Sequence, residues 1–444
     1  MADAPTACDL IVEAAWLLPI APDNKAFTNA AMAIHDGLIL AVGDAEEIKQ
    51  AYRASDSIHF DTHIIMPGLV NAHGHAAMTL LRGSGEDQDL QTWLNDTIWP
   101  LEARAVNPDY VRLGTELAIA EMLASGTTTF SDMYFFPDVA GQVIDQCGIR
   151  AQLAFPVFEF PNAWSQGAED GMHKGIEVAR TYRHHPLINV ALGPHAPYTV
   201  NAEHLSQVAM YANEMESQVH IHLHENQQEV DDARAKTGDT WVHLLDSLGL
   251  LGPHLQAVHM TTLDDRDFAT IAASGTKVVH CPSSNAKLTS GYCDIEKLRA
   301  AGVSVGIGTD GAVSNNTLNM FAELRLATLL AKHENRDPTA GAAGDMLAMA
   351  TLGGAEVLGI ADQVGSLEPG KAADFICINT DALDLQPIHD PFASLVHGSP
   401  GHSVSDVYIA GQPRLRNTQF TSLDVAELRT RVSAWHQAFL QETP

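Results

Sequence analysis

From Met66 onward, short apolar runs alternate with segments of helical length, and this rhythm constrains the fold more tightly than any other feature of the sequence. Leu113 to Ala124 reads as a helix, and Thr127-Thr-Thr-Phe-Ser-Asp132 as the strand after it. Ile188 to Gly193 (strand) precedes Ala202 to Glu216 (helix). Further β-type runs follow at Val219-His-Ile-His-Leu-His224, Ala257-Val-His259, Lys277-Val-Val-His280 and Val303 to Gly308. Parallel strands need crossover connections, so repeated strand–helix units imply a parallel sheet. This many units suggests closure into a (β/α)8 TIM-type barrel. An open doubly wound sheet is the alternative. No dinucleotide or P-loop glycine fingerprint occurs.

The two ends have a different texture. Asp9 to Glu13, Ala31 to His35 and Leu38 to Val42 are β-type runs, the last two joined by the turn pair Asp36-Gly37. After Ile360, Gly365 to Ile378 reads as turn then strand, and Ser405 to Gly411 as another strand. Residues 1–65 and 363–444 are therefore expected to form one small β-sandwich domain, ending in a helix from Ala426 to Gln441. The catalytic barrel would span 66–362. A chain of 444 residues suits one large barrel and a satellite.

Charge narrows the partners. The chain has 25 Lys+Arg against 55 Asp+Glu, a net charge of −30, which repels phosphate backbones and anionic lipid. Nucleic acid and membrane are thus excluded as expected partners, in favour of a neutral or cationic small molecule. Five scattered cysteines without a C-x-x-C pair suit a reducing compartment. Met1 to Asp9 lacks the basic start and apolar run of a signal peptide, and no stretch has the roughly 18 apolar residues of a span. A cytoplasmic location is the expectation.

The first chemical motif is Met66-Pro-Gly-Leu-Val-Asn-Ala-His73-Gly-His75. Residues i and i+2 of a strand face one side, so two imidazoles converge and offer half of a tetrahedral metal site. Hydrogen-bonded loop histidines would look the same. In Val219-His220-Ile-His222-Leu-His224-Glu225, three histidines share a face if the strand persists, and spacing cannot choose among them. Glu225 falls where the strand should end, at the barrel mouth, where a carboxyl can shuttle protons. Asp310, in Gly308-Thr-Asp310-Gly311, could offer a fourth ligand or cap the next helix. His195, His259 and His280 also close apparent strands, and each alone reads as structural. Their order along the chain is harder to dismiss: H-x-H, then His with Glu, then His, then Asp.

In that order the residues resemble the metal-dependent amidohydrolase superfamily, over nearly the whole chain. Met78-Thr-Leu-Leu-Arg-Gly83, Trp99-Pro-Leu-Glu102, Ser131-Asp-Met-Tyr134, Gly193-Pro-His195-Ala-Pro-Tyr198 and Thr309-Asp310-Gly-Ala-Val-Ser-Asn-Asn316 are similar to 5′-methylthioadenosine/S-adenosylhomocysteine deaminases. The resemblance implies one divalent metal ion, zinc first, with iron or manganese compatible. It makes His73, His75, His222 and Asp310 the metal ligands, Glu225 the proton shuttle, and His259 the residue holding the attacking water. It assigns Glu102 to the ribose hydroxyls and His195 to the purine. The implied substrate is a small-molecule nucleoside deaminated at C6, with Asp310 accepting a proton and Glu225 protonating the ring nitrogen. Barrels of this kind often pair, so a homo-oligomer is left open. The alternatives are an amidohydrolase for another aminated or halogenated heterocycle (guanine, triazine or pterin type), or a non-catalytic barrel.

One departure matters. Relatives that handle S-adenosylhomocysteine present arginines after the Gly148-Ile-Arg150 strand, whereas here no Arg occurs between Arg150 and Arg180. Phe155, Pro156, Phe158, Phe160, Pro161 and Trp164 stand there instead. An apolar stretch suits a methylthio group and leaves a carboxylate without a bidentate partner. The expected order is 5′-methylthioadenosine, then adenosine, then S-adenosylhomocysteine. An Arg from elsewhere, such as Arg82, could supply the missing contact.

Overall fold

The computed structural model describes residues 5–398 and 400–441. Residues 1–4 and 442–444, which the sequence reading assigns to the small domain, lie outside the described residues, as does residue 399. Eight parallel strands form the barrel: β5 (Leu69–Gly74), β6 (Thr127–Asp132), β7 (Arg150–Val157), β8 (Ile188–Pro194), β9 (Val219–Leu223), β10 (Leu255–His259), β11 (Lys277–His280) and β12 (Val305–Ile307), in that spatial order. Nearly every residue of these strands is buried, as parallel strands covered by helices require. The barrel closes through side chain as well as backbone. Asn71 on β5 accepts the Thr309 N–H at 2.9 Å and donates to Thr309 Oγ1 at 2.7 Å, and the Asp310 N–H reaches the His73 carbonyl at 3.0 Å. Gly308 permits this approach, because a Cβ there would stand 2.8 Å from the His73 nitrogen.

The remaining strands come from the two ends of the chain: β1 (Thr6–Leu17), β2 (Phe27–His35), β3 (Leu38–Asp44), β4 (Tyr52–Pro67), β13 (Phe375–Asn379), β14 (Val404–Ile409), β15 (Gln412–Arg416) and β16 (Gln419–Phe420). They form one mixed sheet in the order β16-β15-β14-β13-β4-β1-β2-β3, in which β1 and β4 run parallel. The sheet curls, so its two wings bury a shared apolar cluster that includes Met32 and Ile34 on one side and Phe375 and Tyr408 on the other. The wings meet at their turns, where Gly37 (φ 76°) lies against Ala410 and Gly411. The two ends of the chain thus share one mixed sheet, separate from the barrel, where the sequence leads one to expect a small β-sandwich.

β4 runs almost directly into β5, so the small sheet anchors the first barrel strand. A buried ion pair adds a second tie: Arg150, at the start of β7, holds Asp374 bidentately at 2.9 and 3.2 Å. The C-terminal helix, Val425–Gln441, packs instead on the barrel helix Pro108–Ala124, with Trp435 against Tyr110 and Arg431 on Glu116. Among the described residues no helix is long and apolar enough to cross a membrane. All five cysteines are buried and unpaired.

Candidate active site

Parallel strands end on one side, so residues closing different strands meet at the carboxyl mouth of the barrel. His73 lies in β5 and His75 just beyond it, His222 in β9, His259 at the end of β10, and Asp310 three residues past β12. The backbone turns sharply at this rim. His224 (φ 50°), His259 (φ 76°) and Asp310 (φ 59°) are left-handed, a conformation costing a non-glycine residue about 1–3 kcal/mol and held by its surroundings. The turn at His224 ends β9, so the three histidines of that run do not share a face. His220 and His222 point into the barrel. The His224 ring instead bonds the Thr262 carbonyl at 2.8 Å, near the buried Asp267.

The imidazole rings cluster closely. His73 stands 4.8 Å from His75, 4.9 Å from His222 and 5.9 Å from His259, measured between ring centroids. The donor atoms of His73, His75 and Asp310 lie within 4.8 Å of one another, and so do those of His73, His222 and His259. Hydrogen bonds on the far side of each ring decide what faces the centre. His75 Nδ1–H donates to the Met133 carbonyl at 2.7 Å, and His222 Nδ1–H to the His195 carbonyl at 2.8 Å.

For His73 the hydrogen bonds run through the barrel interior. The Gln256 amide nitrogen donates to the Val357 carbonyl and to Gln152, so its oxygen must accept from His220 Nδ1–H, at 2.6 Å. His220 Nε2 is then an acceptor and takes the His73 Nδ1–H at 2.8 Å. Burial holds His73 well below the ordinary histidine range and His220 down at about 4, so both rings are neutral. His73 Nε2 is left as a buried lone pair with no hydrogen-bond donor, facing the Asp310 carboxylate. Such an atom calls for a cation. Gln256→Met should remove the anchor of this relay and weaken metal affinity about 10- to 100-fold, measured by competition with a chelator. Unchanged affinity would count against it.

Asp310 completes the set. Its Oδ1 lies 3.3 Å from His73 Nε2 and 3.2 Å from His75 Nε2, and its Oδ2 accepts from Ser284 at 2.6 Å and Ser314 at 3.0 Å. Burial alone would raise this carboxyl; its contacts with His73 and His75, with His75 carrying the proton, outweigh burial and hold the group well below the carboxylate range. Burial likewise disfavours charge on His75, yet Asp310 lifts it to about 9. A proton on His75 thus stands where a metal cation would sit. Three imidazoles and one carboxylate fit a divalent ion such as zinc.

Glu225 lies beside this centre with Oε2 3.8 Å from His259 Nε2, and burial raises its pKa despite the nearby His259. Its backbone is pinned from both sides: the Glu229 carboxylate accepts the N–H groups of His224 and Glu225 at 3.0 and 2.7 Å, and Thr261 Oγ1 donates to the Glu225 carbonyl at 2.7 Å. His259 Nδ1–H donates to Asn285 Oδ1 at 2.9 Å, turning Nε2 toward the centre. Glu102 accepts the Tyr134 hydroxyl at 2.6 Å, and burial lifts its carboxyl to about 7. His195 stacks on Phe158 at 4.6 Å and is kept neutral by burial, at about 3.

His75, Glu102, His195, His222, Glu225, His259 and Asp310 line a cavity of about 560 Å³ whose remaining wall is largely aromatic and aliphatic. No Lys or Arg lines it among the described residues. Arg82 bonds Glu121 and the Asn316 carbonyl instead. His280 is buried with neither ring nitrogen bonded to protein, so it lacks the hydrogen bonds expected of a satisfied structural histidine. The sequence reading did not single out Asn285, Ser284, Gln256, Gln152 or Glu229. The two glutamines offered a signal, each a polar residue between apolar neighbours inside a buried strand.

A barrel with imidazoles and a carboxylate gathered at its carboxyl mouth belongs to the metal-dependent hydrolases of this fold. The amidohydrolase family profile matches residues 64–414, and the chain belongs to that family. The chain is 45% identical over 432 residues to a 5-methylthioadenosine/S-adenosylhomocysteine deaminase of Teredinibacter turnerae, covering 97% of this chain and 98% of that one. It is 41% identical to a protein of the same name from Saccharophagus degradans, covering 97% and 96%. A solved adenosine deaminase from Xanthomonas campestris with bound zinc superposes with a TM-score of 0.97 at 42% identity, covering 98% of this chain and all of that one.

Proposed function

We propose that the chain hydrolytically deaminates 5′-methylthioadenosine, accepts adenosine, and turns over S-adenosylhomocysteine poorly, giving the inosine analogue and ammonia. The observation that supports this reading is the close packing of His73 with His75, Asp310, His222 and His259 beside Glu225. The deaminase names of two relatives and of a zinc-bound structural neighbour support the same chemistry.

A zinc ion held by His73, His75, His222 and Asp310 would supply Lewis acidity that brings the pKa of a water toward about 7. The residues do the rest. His259 orients the attacking water through Nε2, and Asp310 accepts its proton. Glu225, whose pKa burial raises, protonates the ring nitrogen beside C6. Asp310 then returns its proton to the C6 amino group, the C6 hydroxyl proton passes to Glu225, and the C6–N bond breaks to release ammonia. Glu102 receives the ribose diol, and His195 hydrogen-bonds the purine edge.

The specificity rests on the cavity wall. A substrate carboxylate would enter it without a cationic partner, and hydrogen bonds to a charged group are worth about 1.5–3 kcal/mol each. In a panel of methylthioadenosine, adenosine, S-adenosylhomocysteine and adenine, scored by ammonia release with metal quantified, kcat/KM should be highest for methylthioadenosine. It should fall about 10- to 100-fold for S-adenosylhomocysteine. Ala163→Arg, at the exposed edge of the cavity, should recover part of that loss. If no adenosine derivative releases ammonia from metal-replete protein, the reading is wrong. If S-adenosylhomocysteine equals methylthioadenosine, the specificity fails.

A further inference from the structure

The deaminase reading leaves most of the cavity wall without a task. A methylthioadenosine would satisfy its ring nitrogen at Glu225, its purine edge at His195 and its diol at Glu102. The wall formed by Leu90, Trp93, Leu94, Trp99, Phe160 and Pro161 would meet little more than one methyl group. Much of it belongs to the same segment as Glu102. A helical turn at Leu90–Thr92 passes into a π-helical turn at Trp93–Ile98 and then into the helix Trp99–Ala105. The π turn aligns residues five apart, so Trp93 with Ile98, and Leu94 with Trp99, face one cavity. Trp99 also precedes Glu102 by three residues, a spacing that keeps both on one side of the helix. The apolar wall therefore begins one turn from the carboxylate proposed to hold the ribose. Across the mouth, the Phe160 ring meets Trp99 edge to face at 6.1 Å and Phe158 at 5.1 Å, and Phe160 is 40% exposed. A half-exposed aromatic group at a cavity mouth has apolar area still to bury.

We propose that this outer wall is a subsite for an uncharged, apolar 5′ substituent larger than methyl, making alkyl- and aryl-thioethers of 5′-deoxyadenosine substrates. The inference rests on the deaminase reading and deepens it. Each buried methylene is worth about 0.8 kcal/mol, or about fourfold in affinity. The cavity volume of about 560 Å³ lies within the usual range, about 300–1,000 Å³, of sites that enclose ligands of this size.

The test is a kcat/KM series with the metal-replete enzyme on adenosine, 5′-deoxyadenosine, and the 5′-methylthio, 5′-propylthio and 5′-phenylthio derivatives. Values should rise about tenfold or more from methylthio to propylthio, mainly through KM, and phenylthio should not fall below methylthio. Phe160→Ser, at a position exposed enough to tolerate the change, should cut the propylthio advantage to less than threefold. A series that is flat or falls beyond methylthio, in an enzyme that deaminates adenosine, overturns the subsite and leaves the deaminase reading standing. Failure to deaminate any member overturns both.

Discussion

Glu225→Gln is expected to lower kcat by about 10³-fold while leaving metal content as in the wild type. The substitution keeps the volume and most of the hydrogen-bonding shape of the side chain, and removes only its capacity to carry a proton. Geometry makes this a clean change. The Glu225 amide is gripped by Glu229 and its carbonyl by Thr261, so the residue should stay in place. Glu225 belongs to neither of the buried groups of donor atoms that could hold an ion, so its substitution should leave metal binding intact. KM should move little, because loss of a group acting in the transition state lowers kcat and kcat/KM together. Steady-state kinetics and metal analysis on one preparation decide the matter. A variant within tenfold of wild type, at full metal occupancy, would remove Glu225 from its role.

The barrel was legible because its strands are short, continuous apolar runs between helical segments. Thr127–Asp132 has the same ends in the sequence reading and in the structure. The last two strands, β15 and β16, escaped it: they are brief, half-exposed and without alternation, so they carry no periodic signal. The site was legible as a set of positions and obscure as a set of partners. His220, His222 and His224 are equivalent by spacing. The left-handed turn at His224 breaks that equivalence for one, and Gln256, distant in sequence, breaks it for another by drawing His220 into a relay behind His73. Neither the turn nor the partner is written locally. The same holds for Asn285 behind His259 and Tyr134 on Glu102, contacts that exist only once the strands are side by side. Arg82 illustrates the converse. The sequence left it free to meet a substrate carboxylate, and the fold commits it to Glu121 and the Asn316 carbonyl.

Glu102→Ala should cost about 10²-fold or more in kcat/KM for substrates with a ribose diol, and the loss should fall chiefly on KM. Two hydrogen bonds from the diol to a carboxylate, at about 1.5–3 kcal/mol each, set that scale. The comparison that isolates the diol is adenosine against 2′,3′-dideoxyadenosine. Wild-type enzyme should prefer adenosine strongly, and in the variant the preference should collapse while metal content stays constant. A pH dependence follows from the same carboxyl. Burial raises it to about 7, with the Tyr134 hydroxyl opposing that rise. Above pH 7 the group is ionised and accepts the diol with full strength. As pH falls below about 7 it takes up a proton in the free enzyme, and KM for ribosides should climb toward tenfold per pH unit. The dideoxy substrate should lack that limb, and so should Glu102→Ala on either substrate. A KM for adenosine that is flat from pH 5.5 to 8 would place the diol elsewhere in the cavity.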